Sequence, residues 1–100
     1  YLAYVGNEFA GCIGMRRFDT VRCEMKRLFV RKAFRGLDIG EKLVNAILTA
    51  AREEGYQFMV LSTMDSMKTA HGLYRRLGFK ETQPLVPDSR GNVMYFEMRL

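Results

Sequence analysis

Two short stretches of this chain hold residues whose types and spacing suit chemistry. Arg35-Gly36-Leu37-Asp38-Ile39-Gly40 leads into a segment that reads as a helix. A helix N-terminus presents free backbone N–H groups and a partial positive charge, which together bind phosphate. Glycine lets a phosphate approach the backbone, and Arg35 adds a fixed charge. The loop matches neither the phosphate-loop pattern nor the three-glycine dinucleotide pattern, so on spacing alone a structural turn is the better reading. The second stretch is Ala70-His71-Gly72-Leu73-Tyr74-Arg75-Arg76-Leu77-Gly78-Phe79. Tyr74 lies on the apolar arc of a helix, where a tyrosine commonly buries its ring and leaves its hydroxyl at the rim. His71 sits beside that arc and reads as a surface or hydrogen-bonded edge residue. No His/Cys/Asp cluster has metal-ligand spacing, so no metal is expected. Cys12 and Cys23 fall on successive strands and could face each other, though free thiols suit a reducing compartment.

The elements that must position these residues follow from periodicity. Tyr1–Val5 and Phe9–Phe18 read as strands joined by a Gly6-Asn7 hairpin turn, with Gly11 and Gly14 as weak points or bulges. Val21–Val30 reads as a third strand. Apolar residues at 43, 44, 47, 48 and 51 give a helix over 40–54, stopped by Gly55. The continuous run Phe58-Met59-Val60-Leu61 suits a strand covered on both faces and paired in parallel with the third. Asp65 or Ser66 can cap a second helix over 66–77, with Met67, Ala70, Leu73, Tyr74 and Leu77 on one arc. Strands over 79–83 and 93–100 flank a loop over 84–92. The prediction is one α+β domain with a mixed sheet.

Composition narrows the possible partners. The 100 residues, 48% of them hydrophobic, exclude disorder and supply a core for one domain without disulfides. No apolar run reaches the roughly 20 residues of a membrane helix, and no secretory leader is visible, so a cytoplasmic location and no membrane partner are expected. The net charge of +5 favours an anionic partner. Lys26, Arg27, Arg31, Lys32 and Arg35 concentrate much of that charge. Phe29 and Phe34 flank the cluster in a way that superficially suits single-stranded nucleic acid, but no RNA-recognition signature accompanies them. Nucleic acid is therefore not expected as a partner, whereas exposed edge strands make a homodimer plausible.

Taken jointly, the motifs resemble the GCN5-related N-acetyltransferase (GNAT) superfamily. Glu24-Met25-Lys26-Arg27-Leu28-Phe29-Val30 is similar to its central strand. Arg35–Gly40 is similar to its Arg/Gln-x-x-Gly-x-Gly/Ala pyrophosphate loop, and Leu73–Phe79 to its closing helix and strand start. The resemblance implies the acyl-CoA N-acyltransferase fold, here without the usual first strand and helices, so that residues 1–100 are expected to be an N-terminally shortened acetyltransferase domain lacking part of the acceptor wall. It implies acetyl-CoA as donor and an amine, preferentially a small molecule, as acceptor, with direct attack in a ternary complex. Backbone groups of Leu28, Phe29 and Val30 would pair with the pantetheine arm, and the Leu28 N–H would stabilise the oxyanion. Arg35, Gly36, Leu37, Asp38, Ile39 and Gly40 would bind the pyrophosphate. Tyr74 would protonate the departing thiolate.

Glu24, four residues before Leu28 and on the same strand face if no bulge intervenes, matches a position where some members place a general base. An acceptor ammonium must lose a proton before it attacks, and a carboxylate can take it directly or through water. The other readings of Glu24 are acceptor binding or pairing with a nearby basic residue. Two residues depart from the family pattern. Asp38 replaces the middle loop glycine, where a carboxylate repels phosphate unless it points away. Met67 replaces an asparagine that contacts the cofactor arm. These departures support an alternative reading as a non-catalytic acyl-CoA-binding module or inactive remnant.

Overall fold

The computed structural model describes residues 1–84 and 91–100. Six strands and two α-helices follow in the order β1 (Leu2–Val5), β2 (Glu8–Arg17), β3 (Arg22–Val30), α1 (Ile39–Glu53), β4 (Phe58–Met64), α2 (Lys68–Leu77), β5 (Lys80–Thr82) and β6 (Val93–Arg99). A single 3₁₀ turn, Lys32–Phe34, precedes α1 within what reads from sequence as loop. Part of the predicted 84–92 loop lies outside the described residues.

The sheet order is β1-β2-β3-β4-β6-β5. Among the described strands only β3 and β4 run parallel, joined through α1 as the expected βαβ crossover. Gly6, at φ +61°, takes the left-handed turn position that lets β1 fold back on β2. At the next corner the Asp19 carboxylate accepts the Val21 and Arg22 N–H groups at 2.9 and 2.7 Å.

Alternation sets the two faces of the sheet. Cys23, Met25, Met59, Leu61, Phe96 and Met98 point to the core face, where they pack with Leu43, Val44, Ile47, Leu48 and Ala51 of α1 and with Tyr74 of α2. Helix α1 presents its apolar stripe to this face because those residues recur every three to four positions. The two helices meet where Leu73 of α2 lies over Gly40 of α1, and Arg76 reaches Glu41 at 3.4 Å. The opposite face carries the rows Arg22–Phe58–Arg99 and Glu24–Val60–Glu97. Arg22 holds Glu97 at 3.2 Å and lies over the Phe58 ring. The apolar run of β4 is thus not covered by helices on both faces among the described residues. Met59 and Leu61 meet the helices, whereas Val60 is buried among the side chains of its own face.

Three local expectations, on the start of α2, on Met67 and on His71, are corrected, whereas the expectation of free thiols at Cys12 and Cys23 holds. Helix α2 starts at Lys68, later than residue 66, with Met67 at its N-cap and no side-chain capping bond, so neither Asp65 nor Ser66 caps it. Met67 is exposed and does not join the core arc. His71 takes a buried place instead, donating from Nε2 to the Met64 carbonyl at 2.9 Å. The two cysteines are free and do not face each other, since Cys12 pairs with Phe29 and Cys23 with Arg17.

Candidate active site

The site begins with a failure of pairing. Strands β3 and β4 are hydrogen-bonded neighbours only over Arg22–Phe58, Cys23–Met59 and Glu24–Val60. Beyond these pairs β3 continues to Val30 and β4 to Met64, but the two diverge. A cleft of about 260 Å³ occupies the gap, lined by Met25, Lys26, Arg27, Leu28, Leu61–Met64, Met67 and Tyr74.

A β-bulge helps to open it. On β2 the register advances two residues, from Cys12 to Gly14, while β3 advances three, from Phe29 to Lys26. Arg27 takes up the extra residue with φ +59°, a left-handed conformation unusual for a residue with a side chain. The bulge reverses the facing of everything after it. Leu28 and Val30 lean toward the core side with Met25, whereas Glu24 belongs to the opposite face. Glu24 and Leu28 therefore do not share a face, because the condition of an unbulged strand is not met.

The same segment leaves hydrogen-bonding groups free at the cleft. The Arg31 N–H donates to the Ala10 carbonyl on β2 at 2.7 Å. Backbone direction alternates along a strand, so the Val30 and Leu28 N–H groups point the other way, toward the gap. The Val30 carbonyl is already used, accepting Arg35 Nε at 3.2 Å. Phe29 is exposed, and its carbonyl lies against Gly11 of β2 so closely that a Cβ on Gly11 would run into it.

The loop of residues 35–40 ends at the N-terminus of α1. Gly36 at φ +88° and Asp38 at φ +61° are both left-handed. That geometry explains the usual preference for glycine at the position Asp38 holds. Asp38 occupies the N-cap without a side-chain capping bond, so it leaves the first-turn N–H groups of Ile39, Gly40 and Glu41 uncovered. Glu41, the acidic residue of that turn, is paired with Arg76. Leu37 is exposed and Ile39 anchors the loop in the core.

Tyr74 closes the cleft from the α2 side. Its ring packs edge-on against Phe79 and at a tilt against Phe96, with both centroids 5.9 Å away. Burial raises the pKa of its hydroxyl, which keeps the proton on at neutral pH. No described residue hydrogen-bonds that hydroxyl, and it is not a fully buried unpaired atom, so it opens on the cleft.

Glu24 does not line the cleft. Its carboxylate is held between Arg16 Nε at 2.9 Å and Lys26 Nζ at 3.4 Å. Pairing with nearby basic residues, one of the readings open from sequence, is what the fold realises. Arg16, on β2, is the partner that sequence reasoning missed. The antiparallel register that sets Arg16 opposite Glu24 was its only available signal.

The arrangement is that of a strand-splay cleft with an uncovered helix N-terminus at one end and a buried tyrosine at the other. Residues 1–79 match the family described as "Acetyltransferase (GNAT) family", and the chain belongs to that family. It is 40% identical over 91 residues to an uncharacterized N-acetyltransferase of Schizosaccharomyces pombe, covering 90% of this chain and 56% of that protein. It is 42% identical over 79 residues to an uncharacterized N-acetyltransferase of Dictyostelium discoideum, covering 78% of this chain and 37% of that protein. The chain thus spans about half or less of the length of these relatives. Among solved structures, a GNAT family acetyltransferase from Elizabethkingia anophelis with acetyl-CoA bound superposes with a TM-score of 0.86 at 25% identity, over 99% of this chain and 74% of that one.

Proposed function

We propose that the chain is the donor-binding and catalytic part of an acetyl-CoA-dependent N-acetyltransferase. The observation that carries this reading is the cleft between β3 and β4, with the Tyr74 hydroxyl opening into it. The acetyl-CoA bound by the Elizabethkingia relative supports the choice of donor.

In this reading the first-turn N–H groups of α1 and the backbone of residues 35–40 hold the pyrophosphate, with Arg35 supplying positive charge beside it. The pantetheine arm lies along the free edge offered by Leu28 and Val30, replacing the hydrogen bonds that a paired β4 would have made, while the backbone groups of Phe29, which point to β2, fix that edge in place and do not meet the arm. The Leu28 N–H aims at the thioester carbonyl and stabilises the oxyanion formed when the amine attacks. The carbon–sulfur bond then breaks, Tyr74 gives its proton to the sulfur, and the second proton, shed by the nitrogen as it becomes an amide, restores the Tyr74 hydroxyl. The proton lost by the ammonium reaches Glu24 through water, because both carboxylate oxygens face cations and Glu24 does not line the cleft.

Tyr74→Phe keeps the ring packing and removes the proton. Turnover of the acceptor should fall by about 10²–10⁴, the usual worth of a general acid, while acetyl-CoA affinity measured by calorimetry stays within about twofold. Unchanged turnover would remove the acid role. Tight acetyl-CoA binding by the unaltered chain with no acetylation of any amine would instead identify a cofactor-binding module.

A further inference from the structure

A second hollow, of about 370 Å³, adjoins the cleft and shares Lys26 and Arg27 with it. Its remaining lining is Gly14, Met15 and Arg16. Three cations therefore surround a space whose lining holds no carboxylate among the described residues, and the Glu24 carboxylate is divided between Arg16 and Lys26. Arg27 is exposed and its side chain has no hydrogen-bond or ion-pair partner among the described residues. It is also the residue that holds the left-handed bulge conformation, which points its side chain where a regular strand would not. The helix N-terminus proposed for the pyrophosphate lies beyond the other end of this strand segment. Arg27 is three residues before Val30, roughly 10 Å along a strand. These cations are accordingly placed at the thioester end, where the acceptor must approach, and are not needed for the donor's phosphates.

We infer that the acceptor is an anionic amine, whose oxyanion docks on Arg27, Lys26 and Arg16 while its amino group faces the thioester. This rests on the acetyltransferase reading of the cleft. Guanidinium groups bind carboxylate and phosphate through paired N–H donors. A negative group held beside the strand would orient the amine and select against neutral and polycationic acceptors. No new bond or redox step is involved: the anion is bound, and the amine alone reacts.

The test pairs each acceptor with its neutral counterpart. Free amino acids and their amides, together with O-phosphoethanolamine and ethanolamine, are offered to the chain with acetyl-CoA, and acetylated product is read by mass. The anionic member of a pair should be favoured in kcat/KM by at least about tenfold, as for a charge-assisted hydrogen bond. Carboxylate pairs and the phosphate pair report separately which oxyanion fits. Arg27→Gly, which also relieves the left-handed backbone, and Lys26→Gln should each pull that ratio toward one, and Arg27→Lys should restore part of it. Amides used as well as acids, or a preference unchanged in both variants, would overturn the inference. If no amine is acetylated, the acetyltransferase reading fails for this chain. Calorimetry with coenzyme A present then decides the charge preference by itself: N-acetylated amino acids should bind more tightly than their amides, and equal or absent binding would overturn it.

Discussion

Among the described residues, Asp38 and Arg27 are the two with side chains that hold left-handed backbone conformations, and both stand at the ends of the proposed donor site. Their situations differ. Asp38 brings a carboxylate to the loop proposed to bind a pyrophosphate, and its side chain makes no capping bond in return. Asp38→Gly removes both the like charge and the strain of a Cβ at positive φ. Acetyl-CoA should then bind roughly five- to tenfold more tightly, equivalent to about 1 kcal/mol, as measured by calorimetry. Arg27 adds a cation whose side chain has no partner among the described residues, which suits a residue kept for a ligand. The motif at Asp38 was legible in sequence because loop, helix start and glycine spacing are local. The left-handed placement of Arg27 was not, since a bulge is a property of two strands in register and leaves no mark on one of them. Glu24 shows the same limit. Its spacing from Leu28 suggested a shared face, and one inserted residue reversed it.

Among the elements, β2 and β3 do the most to shape the site. Gly11 lets the strands approach at the point where β3 turns its free edge to the cleft. A Cβ there would meet the Phe29 carbonyl oxygen and lie 3.2 Å from the Val30 Cα, both backbone atoms that cannot swing aside. Gly11→Ala should therefore destabilise the fold by about 1–3 kcal/mol, read as a lowered denaturant midpoint, and weaken acetyl-CoA binding beyond what the lost stability explains. Gly14, by contrast, has room for a Cβ, with its nearest neighbour, the Lys26 carbonyl, at 3.7 Å, so Gly14→Ala is the matched control. The helices and strands themselves were readable from periodicity, and most boundaries moved by only one or two residues. The start of α2 was misplaced because capping residues at 65 and 66 are available but unused. His71 was misplaced because a polar side chain can be buried once a backbone carbonyl, here Met64's, satisfies it.

At the scale of the whole molecule, stability and site are coupled through the core face of the sheet. Cys23 is fully buried there, and burial pushes its thiol up to about 11 from 9.0. Tyr74 shifts in the same direction for the same reason. A raised folded-state pKa means that the native chain retains protons that the unfolded chain has released. The stabilisation is complete below pH 9 and is lost as the pH rises through about 11, amounting to roughly 2–3 kcal/mol for Cys23. Urea melts between pH 8 and 11 should show this fall, and Cys23→Ala should flatten it up to the range where Tyr74 titrates. No helix among the described residues is long and apolar enough to cross a membrane. The sequence by itself determined the order of strands and helices, the parallel crossover, the loop at the helix N-terminus and Tyr74, because each depends on spacing within one segment. Tertiary structure alone decided where β3 and β4 part, which face Glu24 takes, and which cations gather at the bulge of β3. Those outcomes depend on register between segments that are distant in the chain, where one extra residue reverses the side to which every later side chain points.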